Sequence, residues 1–201
     1  MELLWAAMKP FALFKERYIQ DFVFIHINKT GGSSVEKALE VRHEHRTALE
    51  KRAQLGEKCW AKKFKFAIVR NPWDKVVSHY HYRLQTNQTD LATSPVSFPE
   101  WVRRAYGHRE PSYYDKPKMF MPQLDWITDA DGKVMVNQVA RFETLQKDFD
   151  AICQRLNRTA TLPQLRKSER GDYRQYYDAE SRAIVAKQFA KDIAEFGYRY
   201  E

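Results

Sequence analysis

Residues 21–40 read DFVFIHINKTGGSSVEKALE. The stretch opens on an apolar run, Phe22 to Ile27, rich in β-formers and short enough for a buried parallel strand. Lys29, Thr30, two glycines and two serines follow, and then Val35, Ala38 and Leu39 recur at helical spacing. Ser33 and Glu36 have the spacing of a capping box at the start of that helix. Strand, glycine turn and helix in this order build a place for an anion. Successive main-chain N–H groups and the helix dipole favour negative charge there, and Gly31 and Gly32 let a ligand come close. Lys29 adds a mobile positive charge, and Thr30, Ser33 and Ser34 add hydroxyl donors.

A second turn of the same kind lies downstream. FKFAIV, Phe64 to Val69, predicts another strand, and Asn71-Pro72 suits an N-cap followed by the first helical position. The helix after it is expected from about Trp73 to Leu84, with Val76, Val77, Tyr80 and Leu84 inward. Arg70 stands between strand and helix with a planar fork suited to a phosphate, and Ser78 follows in the second turn of the helix, where its hydroxyl supplements the arginine. Ligands of parallel sheets collect beyond the carboxyl ends of the strands. Two such loops imply a ligand that is anionic at two places. Each feature alone has a plainer reading: the glycine turn is common, Arg70 is a surface ion pair and Ser78 a helix-surface residue. Together they carry more weight.

The remaining text continues the alternation. Gln85 to about Gln123 is punctuated by Ser94-Pro95, Phe98-Pro99, Gly107, Pro111, Pro117 and Pro122, with a short helical piece near Phe98 to Ala105. Val134 to Phe142 reads as a strand, Leu145 to Leu156 as a helix, and Leu162 to Tyr177 as a polar, basic connector. A last helix, Ala179 to Phe196, carries Ile184, Val185, Phe189, Ile193 and Phe196 at helical spacing. The pattern predicts an α/β sandwich with a central parallel sheet flanked by helices, in one domain over residues 1–201.

The formal net charge of +8, from 34 basic and 26 acidic residues, favours an anionic partner without choosing among nucleic acid, acidic membrane and small polyphosphate. Cys59 and Cys153 lie far apart with no CxxC pattern, which argues against a zinc site and for free thiols in a reducing compartment, with a single disulfide as the alternative. The start, MELLWAAMKPFALFKERY, is broken by Lys9, Pro10 and Lys15, too short to span a bilayer and without a signal-peptide pattern; an amphipathic element packed on the domain is expected. Lysine precedes the glycines here, whereas a Walker A loop places it after them, and no strand ends in an obvious magnesium-binding Asp. An ordinary ATPase or GTPase is disfavoured. A kinase with an atypical phosphate loop and a nucleic-acid binder exploiting the charge stay open as alternatives.

HINKTGGSSVEKAL resembles the 5′-phosphosulfate-binding loop of sulfotransferases that use 3′-phosphoadenosine 5′-phosphosulfate (PAPS), where HIPKTGGTS is a common form. FAIVRNPWDKVVSHYHYR resembles their 3′-phosphate-binding segment, and the likeness is greatest to the carbohydrate branch with its Golgi-type enzymes and small bacterial relatives. It continues through HRTALEKRAQLG, QLDWITDADG, RFETLQKDF, YRQYYDAESRAIV and FGY, from about Phe22 onward. Asn28 departs from the usual proline and Ser33 from the usual threonine. The resemblance implies a P-loop-like nucleotide-binding fold, PAPS as donor, 3′,5′-ADP as product and a carbohydrate or glycoconjugate acceptor. It assigns the 5′-phosphosulfate to Lys29, Gly31, Gly32, Ser33 and Ser34, and the 3′-phosphate to Arg70 and Ser78. A basic loop around Arg166, Lys167 and Ser168 is expected to close over the nucleotide.

Sulfuryl transfer needs in-line geometry, stabilisation of charge on the leaving oxygen and a base for the acceptor proton, and it calls for no metal. The histidines available are His26, His43, His45, His79, His81 and His108. The resemblance points to His45 as the base, with Lys29 stabilising the leaving oxygen. His26 reads as a loop-tuning or core residue. His79 and His81, two apart on a helix, face different ways, which argues against a metal pair. Trp73, Tyr80 and Tyr82 read as packing residues, and the Gln85 to Gln123 segment, with Trp101, Arg103, Arg104, Tyr113 and Tyr114, as a wall for the acceptor. A bacterial cytoplasmic enzyme is expected, because Golgi relatives usually carry a membrane anchor. Neither the acceptor, the modified position nor the oligomeric state is written in these motifs.

Overall fold

The structure is a computed structural model and describes residues 13–163 and 171–201. In chain order its main elements are β1 (Phe22–Ile25), α1 (Gly32–Ala38), α2 (Ala48–Leu55), α3 (Glu57–Lys62), β2 (Phe64–Val69), α4 (Pro72–Gln85), α5 (Phe98–Val102), α6 (Leu124–Ile127), β3 (Gln138–Arg141), α7 (Leu145–Arg155), α8 (Ala179–Gln188) and α9 (Ala190–Phe196). The chain divides into two compact units, Met1–Val69 with Asp125–Lys167, and Arg70–Leu124 with Ser168–Glu201.

The first unit holds the sheet. Its strands run in the order β1-β2-β3, all parallel, with Phe22 opposite Phe64 and Val69 opposite Arg141. Every residue of β1 and all but the first of β2 are buried, which is why both read as nearly unbroken apolar runs. Phe22, Phe24, Phe66 and Ile68 pack with Val35 and Leu39 near α1 and with Phe149 and Ile152 of α7. Each fully buried side chain of this size contributes about 1.5–3 kcal/mol.

The second unit is helical. Trp73, Val76, Val77 and Tyr80 of α4 pack with Phe98, Trp101 and Val102 of α5, with Phe120, and with Val185 of α8 and Phe189 beyond it. α4 begins as the dipeptide dictates: the Asn71 side chain accepts the Trp73 N–H and Pro72 takes the first position. α5 runs on into a wider turn, Arg103–His108.

Four details depart from the sequence expectations. The third strand spans only Gln138–Arg141, paired with Phe66 to Val69 of β2. Val134 pairs instead with Thr128 across the turn at Asp129 to Gly132. The last helix is interrupted at Phe189, whose φ of −107° and ψ of 25° leave the helical region. α1 has no capping box: Gly31 is its N-cap, in the left-handed region, and the Glu36 side chain is taken by two histidines. Cys59 and Cys153 are free thiols. Among the described residues no helix is long and apolar enough to cross a membrane. The expected amphipathic start falls largely on residues 1–12, outside the described residues.

Candidate functional site

The turn after β1 is shaped by two left-handed residues, Lys29 with φ 65° and Gly31 with φ 82°. For Lys29 that conformation costs about 1 kcal/mol, and such strain persists only where the surroundings over-determine it. Alternation of this kind turns main-chain N–H groups toward a common point, the concavity that favours an anion. Thr30 is fully buried and its hydroxyl donates to the Ile27 carbonyl at 2.9 Å. That hydroxyl fastens the turn, its proton being engaged by the Ile27 carbonyl. Ser33 is exposed and Ser34 half-buried, its N–H donating to the Gly31 carbonyl at 3.1 Å. Gly32 is obligatory for a packing reason: a Cβ there would lie 2.1 Å from Cδ2 of His26. The turn therefore rests directly on an imidazole.

That imidazole belongs to a cluster. His26 Nδ1 lies 2.6 Å from Glu36 Oε1, and His43 Nδ1 lies 2.7 Å from Glu36 Oε2. The carboxylate accepts from both rings. Burial pushes the Glu36 carboxyl up, but the hydrogen bonds and charges of His26 and His43 outweigh it and hold it below the usual range. His45 Nδ1 donates to the His26 carbonyl at 2.9 Å, which fixes the tautomer and leaves the lone pair on Nε2. Burial, joined by the positive charges that His26 and His43 can take, lowers His45 to about 4, although the His26 carbonyl and Glu36 pull the other way. His45 is thus a neutral imidazole with an oriented lone pair. Its ring lies 4.4 Å from that of His26 and edge-on to buried Trp126. Glu44, beside it in sequence, turns to Lys51, which also holds Glu16. Thr47 and Glu50 form a reciprocal capping box that starts α2 just beyond.

Arg70, in the second unit, is the first residue after β2, and its main chain is clamped by one side chain. Gln123, fully buried, accepts the Arg70 N–H at 2.9 Å and donates to the Arg70 carbonyl at 2.8 Å. Asp192 in turn accepts from the Gln123 and Leu124 N–H groups at 2.8 and 2.9 Å. The Arg70 guanidinium pairs with Asp74 at 2.6 Å, one helical turn before Ser78 on the same stripe of α4. Ser78 is half-buried. Lys167 and Ser168, with Arg166, lie outside the described residues.

Other sequence candidates resolve differently. Trp101 is completely buried in the second unit's core and cannot line an open acceptor wall. Arg103 is paired with Asp178 and Glu180, and Arg104 with Glu100. His79 is buried beside the Tyr106 hydroxyl, while His81 meets Tyr176, so the two do face apart. Glu36 and Gln123 have no site role in the sequence reading, and His43 stands there only among the candidate bases. Glu36 was spent on a cap, and nothing local marks a carboxylate ten residues after His26 as its partner.

The profile described as the Sulfotransferase family matches residues 13–199. The chain belongs to the sulfotransferase family. That match spans both compact units and makes the reaction class sulfuryl transfer. No curated protein sequence matches at a significant level. Among solved structures, the sulfotransferase from Alicyclobacillus acidocaldarius is similar over 90% of this chain and 97% of its own, with a TM-score of 0.51 and 14% identity. At that identity the likeness concerns the fold, an α/β arrangement with a parallel sheet flanked by helices, P-loop-like in kind.

Proposed function

We propose that the chain transfers a sulfuryl group from PAPS to a hydroxyl or amine of a carbohydrate or glycoconjugate. The observation that carries the reading is the Lys29–Ser34 turn, strained at Lys29, seated on His26 and adjoined by a neutral histidine with its lone pair free. Its donors fit a phosphosulfate: a lysine, main-chain N–H groups of a left-handed turn and the Ser33 and Ser34 hydroxyls. PAPS supplies an activated sulfuryl group on a phosphate leaving group. Lys29 and the turn's N–H groups stabilise the charge that grows on the bridging oxygen as the S–O bond breaks. His45 Nε2 takes the acceptor's proton as its oxygen or nitrogen bonds to sulfur, and 3′,5′-ADP departs. Arg70 and Ser78 are assigned the 3′-phosphate, with Asp74 and Gln123 holding the arginine in position, and Lys167 and Ser168 are assigned to the nucleotide as well.

A base with a lowered pKa is a weak one, yet it is unprotonated over the whole neutral range. The low value fits a transfer in which the proton moves late, after the acceptor oxygen has been acidified by bonding to sulfur. No step requires a metal. The experiment is a transfer assay with sulfur-labelled PAPS over a panel of neutral and acidic sugars. Labelled product from at least one sugar, lost in His45→Ala while 3′,5′-ADP affinity is kept, supports the reading. Equal turnover in His45→Ala removes that histidine as base, and hydrolysis without transfer to any sugar removes the acceptor class.

A further inference from the structure

The cluster under the first turn holds more ligand chemistry than a general base requires. His26, Glu36 and His43 come from three separate pieces of chain: the end of β1, the helix α1 and the segment after it. Each presents one atom that binds metals, and these atoms all lie within 4.8 Å of one another. His26 and Glu36 are buried, whereas the His43 side chain is 55% exposed, so the group is a half-shell open on one flank. Among the described residues the ion-pair partners of Glu36 are these two imidazoles, each charged only when protonated. When both imidazoles are neutral, the buried carboxylate is held by dipoles alone and is short of positive charge.

We propose that His26 Nδ1, the Glu36 carboxylate and His43 Nδ1 bind one divalent cation of the zinc type, with the open flank beside His43 leaving the fourth position to water. Two imidazoles and a carboxylate form a borderline donor set suited to zinc, whereas magnesium and calcium prefer oxygen. Zinc held about 2.0–2.1 Å from nitrogen and oxygen puts neighbouring ligand atoms about 3.3 Å apart. The 2.6 and 2.7 Å contacts therefore open by roughly 0.7 Å, a movement within the reach of the Glu36 side-chain torsions. The proton count closes: each neutral imidazole keeps its single proton, which moves from Nδ1 to Nε2 as the metal takes the Nδ1 lone pair. The transfer steps proposed above do not pass through the cation, although it would lie beside His45, whose charge His26, His43 and Glu36 help to set.

The test uses tag-free full chain carrying Cys59→Ser, which removes the partly exposed thiol as a rival ligand. Zinc chloride is titrated in competition with a chromogenic zinc indicator. Saturation at one equivalent, undisturbed by magnesium at on the order of a hundredfold excess, is expected. His43→Ala, at an exposed position, should weaken binding at least on the order of tenfold, and Glu36→Gln likewise, with melting curves checking that each variant folds. Absence of saturable zinc binding overturns the proposal, and so does an affinity unchanged in folded His43→Ala.

Discussion

Acidification probes the histidine cluster most directly. The folded chain holds His45 at about 4 where an unfolded histidine titrates near 6.5, so between those values the unfolded state binds more protons. Stability must then fall as pH falls. One pH unit of that resistance corresponds to about 1.4 kcal/mol, and integrating from about pH 7 to about pH 5 gives a loss of about 2 kcal/mol, rising to about 3 kcal/mol by pH 4. His26, His43 and Glu36 all face His45 and share in setting its value. Glu36 acts with the same sign but lower down: its carboxyl is depressed, so the stability it supplies is present above about 4.5 and is lost only as pH drops through its folded value. The assay is urea unfolding at about pH 7 and about pH 5, constant ionic strength, for the wild type and for His45→Gln. Glutamine can still donate to the His26 carbonyl but takes no proton. The wild type is expected to lose about 2 kcal/mol more than the variant over this range. Losses that agree within about 0.5 kcal/mol, comparable to extrapolation error, would refute the burial of a neutral His45.

Three substitutions extend the tests. Lys29→Ala is expected to lower transfer by about 10²–10³-fold, and Lys29→Gly, which relieves the positive φ of 65°, should be equally slow but no less stable; normal turnover in both removes Lys29 from the reaction. Arg70→Ala should weaken 3′,5′-ADP by on the order of tenfold or more in calorimetry, and an unchanged Kd contradicts its assignment to the 3′-phosphate. Gly32→Ala places a methyl 2.1 Å from the His26 ring and is expected to cost about 1–3 kcal/mol; an unaltered melting temperature would mean the turn does not rest on that ring.

Much of the site's outline was legible in linear text because it is local chemistry. The apolar runs 22–27 and 64–69 suit buried strands, and the structure forms β1 at Phe22–Ile25 and β2 at Phe64–Val69. Asn71-Pro72 opens α4 because proline fixes φ and asparagine reaches forward two residues, both properties of neighbours in sequence. Glu36 differs for the opposite reason: its spacing from Ser33 suggests a cap, but it is bonded to imidazoles ten residues before it and seven after. Trp101 reads as part of an acceptor wall because it is an aromatic in a loop-rich segment, yet it is core, since α5 turns that face toward α4.

By itself the amino-acid order determined the strand-turn-helix units, the basic and glycine residues of the two loops and hence the kind of anion chemistry proposed for them. These follow from backbone sterics and hydrophobic period, which act over a few residues. Only the tertiary structure decided what supports the loops: His26 beneath Gly32, Glu36 shared between two histidines, His45 held neutral, and Gln123 with Asp192 around the Arg70 main chain. Those contacts join residues 6 to 69 positions apart. A buried polar group takes whichever partner folding brings within reach, and desolvation then sets its charge.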